Sequence, residues 1–311
     1  MKSFIALIMG AIFVAYAADV MAGENWKGKI YWIIWGENKI VQANYDGSNR
    51  MLFARTHKYP IALIVDEKKG IMYWANNGRS WRIKGIKGSI QRCQMEDCLN
   101  TTITIVEPGK IVLPYGLTLD GINGHLYWSD REKDLVQRSK LDGSDLETVL
   151  VLRDERKLPV QPVQPEGCKI DEENGVLYWS EKNANRIGRI KLANLRLPYT
   201  PKESDYIVTK GLDSPTRIVI DKSRHKLFIT ERYPKKISWV GLDGGIPNEI
   251  VNAISGWPTG LALDRKTGKF FFTTIYPHEI SSVNMDGTGL KKISNNPGAY
   301  PFGMFFVPKS E

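Results

Sequence analysis

The sequence predicts an all-β fold: a six-bladed β-propeller with four-stranded antiparallel blades, the last blade closed by strands from the two ends of the chain. Three recurring features predict it. An aromatic pair returns as Tyr31-Trp32, Tyr73-Trp74, Tyr127-Trp128 and Tyr178-Trp179, then in weaker form as Phe228-Ile229 and Phe271-Phe272, at gaps of 42, 54, 51, 50 and 43 residues. A Pro-led apolar run returns as PIALIVD (60–66), PYGLTLD (114–120), PEGCKID (165–171), PTRIVID (215–221), PTGLALD (258–264) and PFGMFFV (301–307). A turn of the Leu-Asp-Gly kind begins fourteen residues after the aromatic position, as in Leu141-Asp142-Gly143 and Leu242-Asp243-Gly244. Fixed-period self-similarity of this length marks propeller blades.

Each unit reads as four short strands. The Pro-led run is the first, since a strand can open on Pro without losing a ladder donor. Turn clusters such as EKKG, GING, EENG and RKTG then make a hairpin. The aromatic pair begins the second strand, and a polar loop leads to the third. The Asp-Gly turn reverses the chain into a Val/Ile/Leu-rich fourth strand. In five copies the closing Asp of the first strand precedes the aromatic position by seven residues, as Asp66 precedes Tyr73. The second copy reaches its turn, Met95-Glu96-Asp97, eight residues late and so carries an insertion. The run at 301–307 has no aromatic strand after it, and the strand near Tyr31 has no Pro-led strand before it. Together they complete one blade, which removes exposed sheet edges.

Composition agrees. Of 311 residues 42% are hydrophobic and 25% charged, which excludes a disordered chain. Lys and Arg outnumber Asp and Glu by 43 to 34, a net charge of +9, and favour acidic partners. The first residues have the build of a secretory signal peptide: Lys2, an apolar run from Phe4 to Val14, and small-residue cleavage patterns ending at Ala17 and Ala22. The expected division is 1–22 as signal, cut after 17 or 22, and 23–311 as one propeller. A membrane anchor is the alternative, but the apolar run is shorter than the roughly 20 residues a span needs. Three cysteines are too few for a disulfide scaffold. Cys93 and Cys98, five apart, are placed to close a short turn, leaving Cys168 as a buried thiol or an intermolecular bridge. Asn100-Thr101-Thr102 is a glycosylation sequon.

Tyr-Trp-Ser-Asp (127–130), Tyr-Trp-Ser-Glu (178–181), the PxGLxLD strands and the Leu-Asp-Gly turns resemble the YWTD repeats, also called LDL-receptor class B repeats. The resemblance spans about 29–307. It departs from the pattern at Ile33-Ile34, Ala75-Asn76 and Thr273-Thr274, where the Thr-Asp positions are altered. The side-chain bonds expected of the Asp are lost there. No EGF-like module, cysteine-rich repeat or membrane helix accompanies the repeats, so the expectation is a propeller alone, released outside the cell. The resemblance implies a protein-binding propeller that is not an enzyme.

Residues that recur in every copy build blades: Tyr and Trp bury area between them, and Asp-Gly shapes turns. Function is sought where copies differ, in the loops. The five-residue loops after the aromatic strands hold nine basic residues against four acidic ones, interleaved with aromatics. Propeller geometry puts these loops on one face with the residues that follow each blade-opening Pro. The candidate binding residues are Arg79, Trp81, Tyr115, Arg131, Lys133, Lys182, Arg186, Arg232, Tyr233, Lys235, Tyr276 and Phe302. A basic face with aromatics suits an acidic protein segment or a sulfated glycan; the plain alternative is solvated loop charge. Nucleic acid does not suit a secreted chain.

Two other functional classes suit such a fold. A calcium-dependent propeller hydrolase needs acids converging on the axis, and only Glu166, with Asp213 or Asn76, is placed to approach it. There is no Gly-x-Ser-x-Gly elbow, HExxH or phosphate-cradling loop. No cofactor or metal is expected. A structural component of an extracellular or biomineral matrix, or of a secretion, is the third reading.

Overall fold

A computed structural model describes residues 26–78, 87–153, 162–252, 254–294 and 296–309. It contains six four-stranded sheets. The innermost strands are Pro60–Asp66, Pro114–Asp120, Pro165–Asp171, Pro215–Asp221, Trp257–Asp264 and Pro301–Val307, each a Pro-led run of the sequence. We number the blades by chain order: blade 1 carries Pro301–Val307 with Lys29–Ile34, and blades 2 to 6 open with the other inner strands in turn. Within blades 2 to 6 each strand pairs antiparallel with its sequence neighbour.

The ring closes as the repeats require. Phe305 pairs with Tyr31 and Phe306 with Ile30, so the last inner strand joins the first aromatic strand. The repeated Tyr and Trp are fully buried. Their polar ends are satisfied, as burial demands. Trp74 Nε1 donates to Gln91 Oε1 at 3.1 Å and Trp128 Nε1 to Gln137 Oε1 at 3.2 Å. Asp130 ties the two front loops of blade 3 together: its carboxylate accepts the amides of Val112, Leu113, Glu132 and Lys133.

Cys93 and Cys98 form a disulfide at the turn before the fourth strand of blade 2. Cys168 is free and buried, and burial pushes its thiol up to about 12. Asn100 is exposed in the short helix Cys98–Thr101, with Nδ2 donating to Asp97. Residues 1–22, expected as a signal peptide, and residues 79–86 lie outside the described residues.

The axis is built from a repeated irregularity. Each inner strand slips register with its neighbour near its opening Pro, for example between Pro114 and Gly116. The bulge brings the second and third residues of the strand toward the axis. Four of the six third positions are glycine, and a Cβ at Gly116 would lie 2.5 Å from the Glu166 carbonyl of the next blade. Backbone therefore packs on backbone around the ring.

The second-position carbonyls that face this contact need donors. Three receive a hydroxyl from the preceding blade: Ser129 donates to Glu166 O at 3.1 Å, Ser180 to Thr216 O at 2.8 Å and Thr273 to Phe302 O at 3.0 Å. These are the third residues of the aromatic motifs. The other three carbonyls lack that hydroxyl. The motif offers Ile33 and Ala75 in blades 1 and 2, and Thr230 of blade 5 turns to Thr216 Oγ1. All three carbonyls are served by one residue. Arg217, at the third position of blade 5, donates to Thr259 O at 2.9 Å, Tyr115 O at 2.6 Å and Ile61 O at 3.1 Å. Its planar fork reaches three other blades at once and fills the axis.

Candidate functional site

The front mouth of the axis is a cavity of about 510 Å³. Trp35, Trp257, Tyr276, Tyr300 and Phe302 form aromatic walls, with Tyr115 and Ile61 deeper. Trp257 and Tyr276 meet edge to face at 5.5 Å between ring centres, and Tyr276 and Tyr300 at 5.8 Å.

Charge converges at the floor. Glu166, the residue after the opening Pro of blade 4, is 1% exposed. Arg131 Nη1 lies 3.4 Å from its Oε1. Burial pushes the Glu166 carboxyl up, but Arg131, Arg232, Arg217 and Lys182 outweigh burial and hold it below the usual carboxylate range. Gln164 bridges two of these cations: its Oε1 accepts from Arg131 Nη2 at 2.8 Å and from Lys182 Nζ at 3.3 Å. Arg131 and Arg217 both lie over the Tyr115 ring, at 4.9 and 5.1 Å from its centre, and Arg232 lies 5.4 Å from that of Trp257. Burial lowers the affinity of Lys182 for its proton, and nearby Glu166 partly restores it. Among the described residues two buried polar atoms at the mouth lack a hydrogen-bond partner: Glu166 Oε1 and Arg232 Nε.

The structure gathers Tyr115, Arg131, Lys182, Arg232, Tyr276 and Phe302 at this mouth. It does not gather the rest. Arg186 is turned into blade 4, where it pairs with Glu181 at 2.6 Å and lies over Tyr206 at 3.7 Å. Lys133 is exposed on its loop, outside the cavity lining. Tyr233 is 57% exposed and touches the mouth only through the edge of Trp257. Lys235 is half-buried in its turn, and its carbonyl accepts the Ile254 amide. Arg79 and Trp81 lie outside the described residues. Asn76 does not approach the axis; its Nδ2 donates to Ser89 and Gln91 within blade 2. Asp213 is exposed on its loop.

Sequence reasoning passed over Arg217 and Gln164. The first had a visible signal, since PTRIVID breaks the Pro-x-Gly pattern with a large charged residue. The second had none. Among the described residues no group of three or more His, Cys, Asp or Glu is placed to hold a metal ion. Among the same residues no helix is long and apolar enough to cross a membrane.

Comparison with known proteins matches this geometry to a lineage. No family model matches the chain. It is similar to low-density lipoprotein receptor-related protein 1 of Pyricularia oryzae, 28% identical over 201 residues, covering 62% of this chain and 64% of that protein. Its fold is similar to a chain in the crystal structure of a nidogen/laminin complex, at a TM-score of 0.72 and 15% identity, covering 89% of this chain and 97% of that one. This chain is a six-bladed propeller similar to YWTD-type propellers. Relatives of the propeller are low-density lipoprotein receptor-related proteins. A more distant similarity, 22% over 205 residues and 42% of the relative, is to the 3-hydroxyacyl-CoA dehydrogenase-like protein LAM1 of Cochliobolus heterostrophus. The propeller spans less than two thirds of the length of these curated relatives.

Proposed function

We propose that this YWTD-type propeller is a secreted domain that binds an acidic segment of a partner protein in its front mouth. One observation carries the reading. Arg232, with a buried and unpartnered Nε, lines a cavity at whose floor four cations face one buried carboxylate. An unpaired buried donor is costly, and a ligand carboxylate supplies the missing acceptor as a charge-assisted bond. The aromatic walls supply the contact area that such an anchor needs. A concave mouth of this size fits one or two side chains of a peptide better than a flat, repeating sulfated chain.

Relatedness to receptor-related proteins, and likeness to a chain found in a protein complex, support a binding role over catalysis. The disulfide, the exposed sequon residue Asn100 and the apolar N-terminal run support an extracellular location.

The test is a fluorescence-anisotropy titration with labelled hexaglutamate, run beside a heparin hexasaccharide. The peptide is expected to bind with an affinity that falls steeply between about 50 and 300 mM salt. Tighter binding of the heparin fragment would favour the glycan, and no binding of either would remove the proposal.

A further inference from the structure

The opposite end of the axis holds a second cavity, a funnel of about 600 Å³. Its walls are largely apolar, with Ile64, Leu119, Ile170, Val219, Leu261 and Met304 among them. At the fifth position of the inner strands the six blades present Ile64, Thr118, Lys169, Val219, Ala262 and Phe305. Five are uncharged and one is a lysine.

Lys169 has little to hold its charge. Its Nζ donates to the Leu117 carbonyl at 3.4 Å, a long contact, and among the described residues no carboxylate pairs with it. The acids at the rim are engaged elsewhere. Asp171 pairs with Lys222 at 3.6 Å and accepts Asn174 Nδ2. Glu172 accepts the Gly121 amide at 2.7 Å, and Asp264 accepts the amides of Lys266 and Thr267. Glu67 faces Arg265 and Lys27. Burial lowers the Lys169 ammonium to about 8; Cys168 opposes this, and Arg217 and Arg265 push the same way as burial. A half-buried ammonium without a counter-ion is retained at a cost.

We propose that the rear funnel binds a small aliphatic carboxylate, of the medium-chain fatty-acid class, with Lys169 as counter-ion to the headgroup. The carboxylate supplies the acceptors the ammonium lacks. The alkyl chain covers the apolar wall, and the volume falls within the range of small-ligand sites. This does not depend on what the front mouth binds.

The test is isothermal titration of the full chain with decanoate at neutral pH, with decanol as a tail-matched neutral control. Decanoate is expected to bind one to one, and decanol at least about 10-fold more weakly. Lys169→Met keeps the unbranched apolar stem and drops the ammonium, and is expected to lose the same factor for decanoate while melting no lower than the wild type. The proposal is overturned if decanoate shows no saturable binding up to about 1 mM. Equal binding of decanoate and decanol overturns it as well, a comparison that needs only the wild-type protein.

Discussion

The guanidinium of Arg217 donates to the carbonyl of Tyr115, two blades away, at 2.6 Å. That carbonyl is one of three that a hydroxyl of the aromatic motif would otherwise serve. Ala75 stands where the hydroxyl for Tyr115 would be, and Ile33 where that for Ile61 would be. The lone arginine of the axis therefore stands in for degraded repeats. Arg217→Met should cost about 3 kcal/mol or more in urea unfolding, because it orphans buried acceptors. In the Ala75→Ser and Ile33→Thr background the same substitution should cost at least about 1 kcal/mol less. Strict additivity would show that the two systems do not share acceptors.

The closing strand makes a second prediction. Pro301–Val307 pairs with the strand of Tyr31, and Met304, Phe306 and Val307 are buried. Deleting 300–311 uncovers that face and opens the ring. Thermal melting should fall by more than about 10 °C, or the chain should not fold. Melting within a degree or two of the full chain would refute closure.

Acid should act through Glu166. Its folded carboxyl is held below the usual range, so its contribution is present above about 4.3, the unfolded value, and is lost as pH falls through the lower folded value. Glu166→Gln should therefore be less stable than wild type at pH 7 by about 3 kcal/mol. The gap should close in acid below the unfolded value. A gap that persists unchanged to pH 2 would rule out the charge as its source.

Alkali should act through Lys169 with the opposite consequence. Its folded value of about 8 lies below the ordinary 10.5. Below pH 8 the buried charge is a full burden, and stability rises as pH climbs from 8 toward 10.5, where the unfolded state binds the extra proton. Lys169→Met should melt higher than wild type at pH 7, and the difference should shrink over that window. Melting curves from pH 7 to 10.5 check both. The charged neighbours that bear on it are Arg217 and Arg265.

Much of this architecture is legible in the sequence. The Pro-led runs are found as the inner strands because Pro, Gly and the closing Asp recur at fixed spacing. The closure of 301–307 on the strand of Tyr31 follows from the two incomplete units at the ends. The site is less legible. Counting loop charges brings Arg131, Lys182 and Arg232 to the mouth, but it cannot see that Glu181 draws Arg186 into its own blade. The pairing of Arg217 with three carbonyls depends on bulges whose geometry no residue spacing records.

Neutralising mouth charge while keeping the Arg131–Glu166 pair tests the account most directly. Arg131 is left in place, since it lies 3.4 Å from the buried carboxylate. Lys182→Gln with Arg232→Gln, titrated with labelled hexaglutamate, should bind at least about 10-fold more weakly than wild type at low salt, with a folded far-UV spectrum and lower melting, because both cations also face Glu166. Unchanged affinity in a folded double variant would contradict the assignment of the front mouth.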